Sequence, residues 1–121
     1  MLDLTILTIP LISFHFILLV WLHFLGDFAL QINQMAINKG SSLKWLSIHV
    51  MTYSAAFLVF FGWQFALLNF VLHWITDFIT SKVSGHYNKI GNQRLFFATI
   101  GFDQAIHMTC LYLTYFILFV L

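Results

Sequence analysis

The sequence predicts an all-α fold, a four-helix transmembrane bundle arranged as two tandem helical hairpins with both termini outside. Three observations predict it. Hydrophobic residues make up 61 % of the 121 residues and charged residues only 7 %, against about 25 % charged in an average soluble domain. The apolar residues fall in long runs broken by short polar segments. All five basic residues lie in or beside those segments. A surface this poor in charge would aggregate in water, so lipid is the expected solvent for most of it.

A spanning helix needs about 20 mostly apolar residues. The first run extends from Leu4 to Leu30, with Pro10 in its opening turns, where a proline costs least. It begins with Asp3 rather than a basic region and closes on no small-residue cleavage site, so it reads as a retained span and not a signal peptide. The second run covers Leu43 to Phe61 and the third Trp63 to Thr80. Only Phe61-Gly62-Trp63-Gln64 joins them, which predicts a tight antiparallel hairpin. The fourth run covers Leu95 to Leu121. The segments Gln31–Ser42 and Ser81–Arg94 are rich in Asn, Gly, Ser and Lys and are expected to be loops. The whole chain, 1–121, then forms a single integral membrane domain.

With four spans, both polar loops share one side. Lys39, Lys44, Lys82, Lys89 and Arg94 mark that side as cytoplasmic. The expected location is a bacterial inner membrane, crossed several times. No basic stripe suggests nucleic acid. Cys110 sits in an apolar run, permits no internal disulfide and reads as a small hydrophobe.

Ionisable groups inside spans need an explanation, since an Asp at a span's centre costs about 2.5–3.5 kcal/mol on insertion scales. Here there are seven: His23, Asp27, His49, His73, Asp77, Asp103 and His107. His23/Asp27 and His73/Asp77 share the pattern H-x-x-x-D-F, and Asp103/His107 reverses it. Residues four apart project from one helical face, so each pair can bind one metal, or the Asp can orient the His. All seven fall in the cytoplasmic half of the bundle once the spans are oriented. The repeated H-x-x-x-D-F element suggests an internal duplication and a pseudo-twofold site.

Four imidazoles and three carboxylates without thiolate favour zinc, manganese or iron. Seven ligands exceed the four of a closed zinc site and leave room for two ions with open positions. His49 is a ligand or a general base. Singly, any of these histidines reads more simply as a hydrogen-bonded structural residue, because interhelical polar contacts are ordinary in membrane bundles. It is the convergence of the set that argues for a site. His15 reads as structural, His86 as a solvated loop residue and Asp3 as a topology residue. Asn69 and Gln104 fit supporting or plain interhelical bonds equally well. The many Phe residues read as packing and lipid-facing surface.

The stretch His23-Phe-Leu-Gly-Asp-Phe-Ala-Leu-Gln31, with His49, His73-x-x-x-Asp77-Phe and Asp103-x-x-x-His107, resembles a family of small bacterial and phage integral membrane proteins of unknown function. The resemblance covers nearly the whole chain. A looser likeness, in residue types alone, is to membrane-bound metal-dependent hydrolases.

These readings lead to a metal-dependent hydrolase or phosphotransferase acting on a lipid or amphiphilic phosphate ester near the cytoplasmic leaflet. Lys44, Lys82 and Arg94 at the rim would attract the anionic headgroup or simply anchor the helices. The alternatives are a divalent-metal or proton transporter, a haem-binding bundle and a non-catalytic phage-type membrane protein. A homodimer would shield the thin-walled bundle better than a monomer.

Overall fold

The computed structural model describes residues 4–121, with side chains from residue 10 onward. Asp3 therefore lies outside the described residues. The chain is helical nearly throughout, with no strand among the described residues. It runs as α1 (Leu4–Phe24), a π-helical turn (Leu25–Ala29), a short α2 (Asn33–Asn38), α3 (Leu43–Lys89) and α4 (Gln93–Phe119). Pro10 lies within α1. The π turn is closed by the Leu30 amide donating to the Leu25 carbonyl five residues back, at 2.8 Å.

Helix α3 is two limbs, not one rod. A straight helix would hold His49 and His73 about 36 Å apart, yet their Nε2 atoms are 3.3 Å apart. The reversal falls at Gly62, whose φ of 85° and ψ of 173° are open essentially to glycine alone. The tight hairpin expected there is present. Trp74 Nε1 donates to Ser47 Oγ across it at 3.1 Å.

The second polar segment departs from expectation. Residues 81–89 continue the helix, so His86 stands on its last turn and not in a loop. Polar composition suggested a loop, but polarity does not break a helix, and Ser81 and Ser84 hydroxyls return to the Asp77 and Ser81 carbonyls. What stops the helix is Gly91, with a φ of 73°. The Asn92 side chain then caps α4, accepting from the Leu95 amide at 3.1 Å. In the first polar segment, α2 interrupts the expected loop.

Four rods result: α1, the limbs 43–61 and 63–89, and α4. His23 meets Tyr53 and Gln104, while His15 meets Tyr115, so α1 runs antiparallel to the first limb and to α4. Asn69 donates to Thr114, setting the second limb antiparallel to α4. Gly40 lies against the Ser81 backbone, which brings the two polar connections to one end. The other end is aromatic. Phe61 packs on His15, Phe65, Tyr115 and Phe119 with ring centroids 5.0–6.2 Å apart.

The core of Leu19, Leu22, Tyr53, Phe57, Phe65, Leu111 and Tyr115 fills the aromatic half. Among the described residues, eleven buried side chains are apolar and eleven are polar or charged, while Trp21, Val59, Phe97 and Phe102 stand exposed. A core half polar beneath so many exposed large apolar side chains departs from the order of a water-soluble domain. Two segments, Pro10–Ala29 and Leu43–Lys89, are long and apolar enough to cross a membrane.

Candidate metal centre

The polar half of the core is built from one-turn pairs. On the limb 63–89, His73 and Asp77 lie on one face, with Nε2 and Oδ2 3.5 Å apart. On α4, Asp103 and His107 do the same, at 3.2 Å. His49 projects from the first limb, with its Nε2 3.0 Å from Asp27 Oδ1 and 3.3 Å from Asp77 Oδ2. Asp27 comes from the π turn, a local widening that recurs at functional sites. Close approach permits this: a Cβ on Gly26 would meet Tyr53 Cδ2 at 2.9 Å and Tyr53 Cα at 3.2 Å.

Four atoms from four residues converge on one point: Asp27 Oδ1, His49 Nε2, His73 Nε2 and Asp77 Oδ2. The five separations among them involving a histidine are 3.0, 3.3, 3.3, 3.5 and 3.5 Å. Ligands at tetrahedral corners about 2.0–2.1 Å from a zinc-sized ion stand about 3.3–3.4 Å apart. The four residues are wholly buried. These Asp and His clusters can therefore hold a metal ion. Asp27, Asp103 and His107 form a second group of the same kind, each offering a ligand atom within 4.8 Å of the others.

Charge points the same way. Three carboxylates share this interior with a single ammonium, that of Lys39, whose Nζ donates to Asp77 Oδ2 at 2.9 Å. With the imidazoles neutral, as metal ligation requires, the set carries two excess negative charges, which one divalent ion would balance. Burial disfavours the Lys39 ammonium, but the Asp77 and Asp27 carboxylates outweigh it and hold its pKa above the usual lysine value.

Ring packing orders the histidines. His73 stacks on His107 at 3.8 Å with planes 7° apart, and packs at a 38° tilt on Tyr53 at 3.9 Å. The Nδ1 atoms of His49 and His73 have no hydrogen-bond partner, so packing and the shared Nε2 contacts hold these rings. Asp103 also accepts from the Thr80 hydroxyl.

Six of the seven residues singled out from the sequence enter one or other group. His23 enters neither. Its Nε2 is 3.8 Å from Asp27 Oδ2 but 2.6 Å from Gln104 Oε1, and its Nδ1 is hydrogen-bonded to Tyr53 Oη at 3.1 Å. Both ring nitrogens of His23 are thus taken up by Gln104 and Tyr53, just before the π turn begins. Gln104 also donates to Asp27 Oδ2 at 2.8 Å and to Asp103 Oδ2 at 3.1 Å, so it belongs to the cluster. Asn69 does not, bonding instead to Phe65 and Thr114. His15 is a structural contact of Tyr115.

Sequence reasoning missed Lys39, Tyr53 and Thr80. Tyr53 is four residues beyond His49 and Thr80 three beyond Asp77, helical spacings that place both beside known candidates. Nothing local marks Lys39, which read as a topology residue.

A cleft of about 780 Å³ opens beside the cluster at the polar end. Asp27, Asp77 and Asp103 line it together with Lys39, which reaches Asp77, and with Lys82, Lys89, Phe28, Ile37 and Phe96. Lys44 and Arg94 are not among its lining residues.

The family described as protein of unknown function (DUF3307) matches residues 15–121. No curated protein and no solved structure matches the chain.

Proposed function

We propose that this chain, which belongs to the DUF3307 family of proteins of unknown function, is a membrane-embedded metalloenzyme, a hydrolase or phosphotransferase acting on a lipid or amphiphilic phosphate ester. The observation that carries the reading is the set of four inward-facing atoms of Asp27, His49, His73 and Asp77, spaced as tetrahedral ligands. The donors suit zinc, manganese or iron(II). A divalent ion there lowers the pKa of bound water and draws charge from a phosphoryl oxygen. His49 faces Asp27, Asp77 and His73 at once, which supports its role as a ligand over that of a general base.

The cleft supports the substrate class. Its volume is that of a small-molecule site. It brings together three carboxylates, three lysines, of which Lys39 reaches Asp77, and the apolar side chains of Phe28, Ile37 and Phe96, the mix of groups that a phosphate ester with a hydrocarbon tail requires.

In this reading all four rods cross a bacterial inner membrane. The polar end carries the basic residues and faces the cytoplasm, and both termini face outward. The cluster then lies beneath the inner headgroups. A transport pathway would need polar groups continuing to the far side, where Phe57, Phe61, Phe65 and Phe119 close the bundle instead.

Metal content of detergent-purified protein tests the reading. Stoichiometric zinc, manganese or iron is expected in wild type and at least a tenfold lower occupancy in Asp77→Asn and His73→Ala. Metal-free wild type, prepared without chelator and correctly folded, would overturn it. With metal established, hydrolysis of phospholipid phosphate esters by wild type but not by Asp77→Asn tests the reaction.

A further inference from the structure

The two carboxylates of the tetrahedral set each have an oxygen left over. Asp27 uses Oδ1 and Asp77 uses Oδ2 toward His49 and His73. The spare Asp77 Oδ1 lies 3.1 Å from His107 Nε2, and that nitrogen lies 3.2 Å from Asp103 Oδ2. Asp27, Asp103 and His107 bring ligand atoms within 4.8 Å of one another. We infer a second divalent-cation position beside the first, held by His107 and Asp103, with Asp27 and Asp77 bridging the two ions. This rests on the metal reading above and adds the second ion, its terminal ligands and its bridges.

The 3.1 and 3.2 Å separations around His107 Nε2 again approach the tetrahedral edge of about 3.3 Å. His73 and His107, one terminal ligand from each position, are the stacked pair, so parallel rings present adjacent Nε2 atoms to adjacent ions.

Gln104 joins the carboxylates of the second position. Its Nε2 donates to both Asp27 Oδ2 and Asp103 Oδ2, bridging two carboxylates that would otherwise repel. Its Oε1 accepts from His23 Nε2. A carboxamide presents nearly the same shape after half a turn. Turned over, Gln104 offers Oε1 to a cation between Asp27 and Asp103, and its Nε2 donates to an unprotonated His23 Nε2. Tyr53 Oη stays on the other His23 nitrogen and accepts the shifted proton's hydrogen bond. His23 thus acts through Gln104 as a positioning residue, which accounts for a buried imidazole that joins neither ligand group.

Charge identifies what completes the pair. One divalent ion neutralises the two excess negative charges of three carboxylates and Lys39. A second leaves an excess of two positive charges at the cleft, which a phosphate monoester dianion matches.

Manganese(II) is the probe. Full-length protein in detergent, stripped and reloaded with manganese(II), is expected to hold two ions per chain with an exchange-coupled paramagnetic resonance spectrum. Asp103→Asn, close in shape to wild type, should hold one ion with the six-line signal of isolated manganese, and so should His49→Ala. One ion per chain in wild type, six-line and unchanged in Asp103→Asn, would overturn the second position while leaving the proposed function standing. Wild type that binds no manganese, zinc or iron(II) would overturn the metal reading itself. The wild-type stoichiometry and coupling decide the matter even if a variant fails to fold.

Discussion

Gly26 and Lys39 define the residue scale, because each controls the cluster without being a ligand to it. A methyl group at Gly26 would press on Tyr53 Cδ2 and, at 3.2 Å, on Tyr53 Cα. The ring cannot yield freely, since Tyr53 is fully buried, packs on His73 and bonds to His23. Gly26→Ala should therefore cost about 1–3 kcal/mol by overpacking and lower metal occupancy with it, both readable from thermal unfolding and metal content of one preparation. Lys39 acts in the opposite direction. Its ammonium occupies the oxygen of Asp77 that the tetrahedral centre uses. Lys39→Met should destabilise metal-free protein by about 1.5–3 kcal/mol through the lost charged hydrogen bond and tighten divalent-ion binding in a competition titration. Unchanged or weaker binding would contradict the competition. The one-turn spacing of Asp and His made His73/Asp77 and Asp103/His107 legible in the sequence, because helical periodicity alone puts each pair on one face, while Asp27 and His49 were legible by their depth within apolar runs. That His23 is taken up by Tyr53 and Gln104 was not legible, because contacts between distant helices leave no local pattern.

At the scale of elements, two glycines of unlike backbone make a controlled comparison. Neither Gly62 nor Gly85 has an atom within 4 Å of an added Cβ. Gly62 holds a φ of 85°, so Gly62→Ala should cost about 1–3 kcal/mol from backbone strain alone. Gly85 lies within the helical limb, where Gly85→Ala should stabilise by about 0.5–1 kcal/mol. Equal effects in thermal unfolding would mean the hairpin geometry is wrong. The hairpin itself was legible, since only four residues join two apolar runs. The continuation of α3 to Lys89 was not. Residues 81–89 look like a loop by polarity, and the stop signal, Gly91, lies well beyond the apolar run. The short α2 was equally hidden, being polar and only six residues long.

For the whole molecule, the many exposed apolar side chains follow from composition, and the pairing of rods follows from short connections. Which rod faces which is settled by contacts such as Asn69 with Thr114 and His15 with Tyr115, which no local pattern announces. The proposed orientation makes a direct prediction. In a Cys110→Ala background, a membrane-impermeant thiol reagent added outside cells should label Leu121→Cys and leave Asn92→Cys unlabelled. The reverse pattern would invert the topology, and labelling of both would remove α4 as a span. One feature reaches further. Polar contacts of α1 and the π turn with the neighbouring rods include those of Asp27 and His23 with His49, Tyr53 and Gln104, and that of His15 with Tyr115 at the other end. The clasp that fastens this helix thus includes Asp27, a residue that would receive the ions. Loaded as proposed, the site would couple ion capture to the docking of this helix. A cell starved of the metal would accumulate a chain with its first helix loosely docked, open to membrane proteases, so the abundance of this protein would track the supply of its ion.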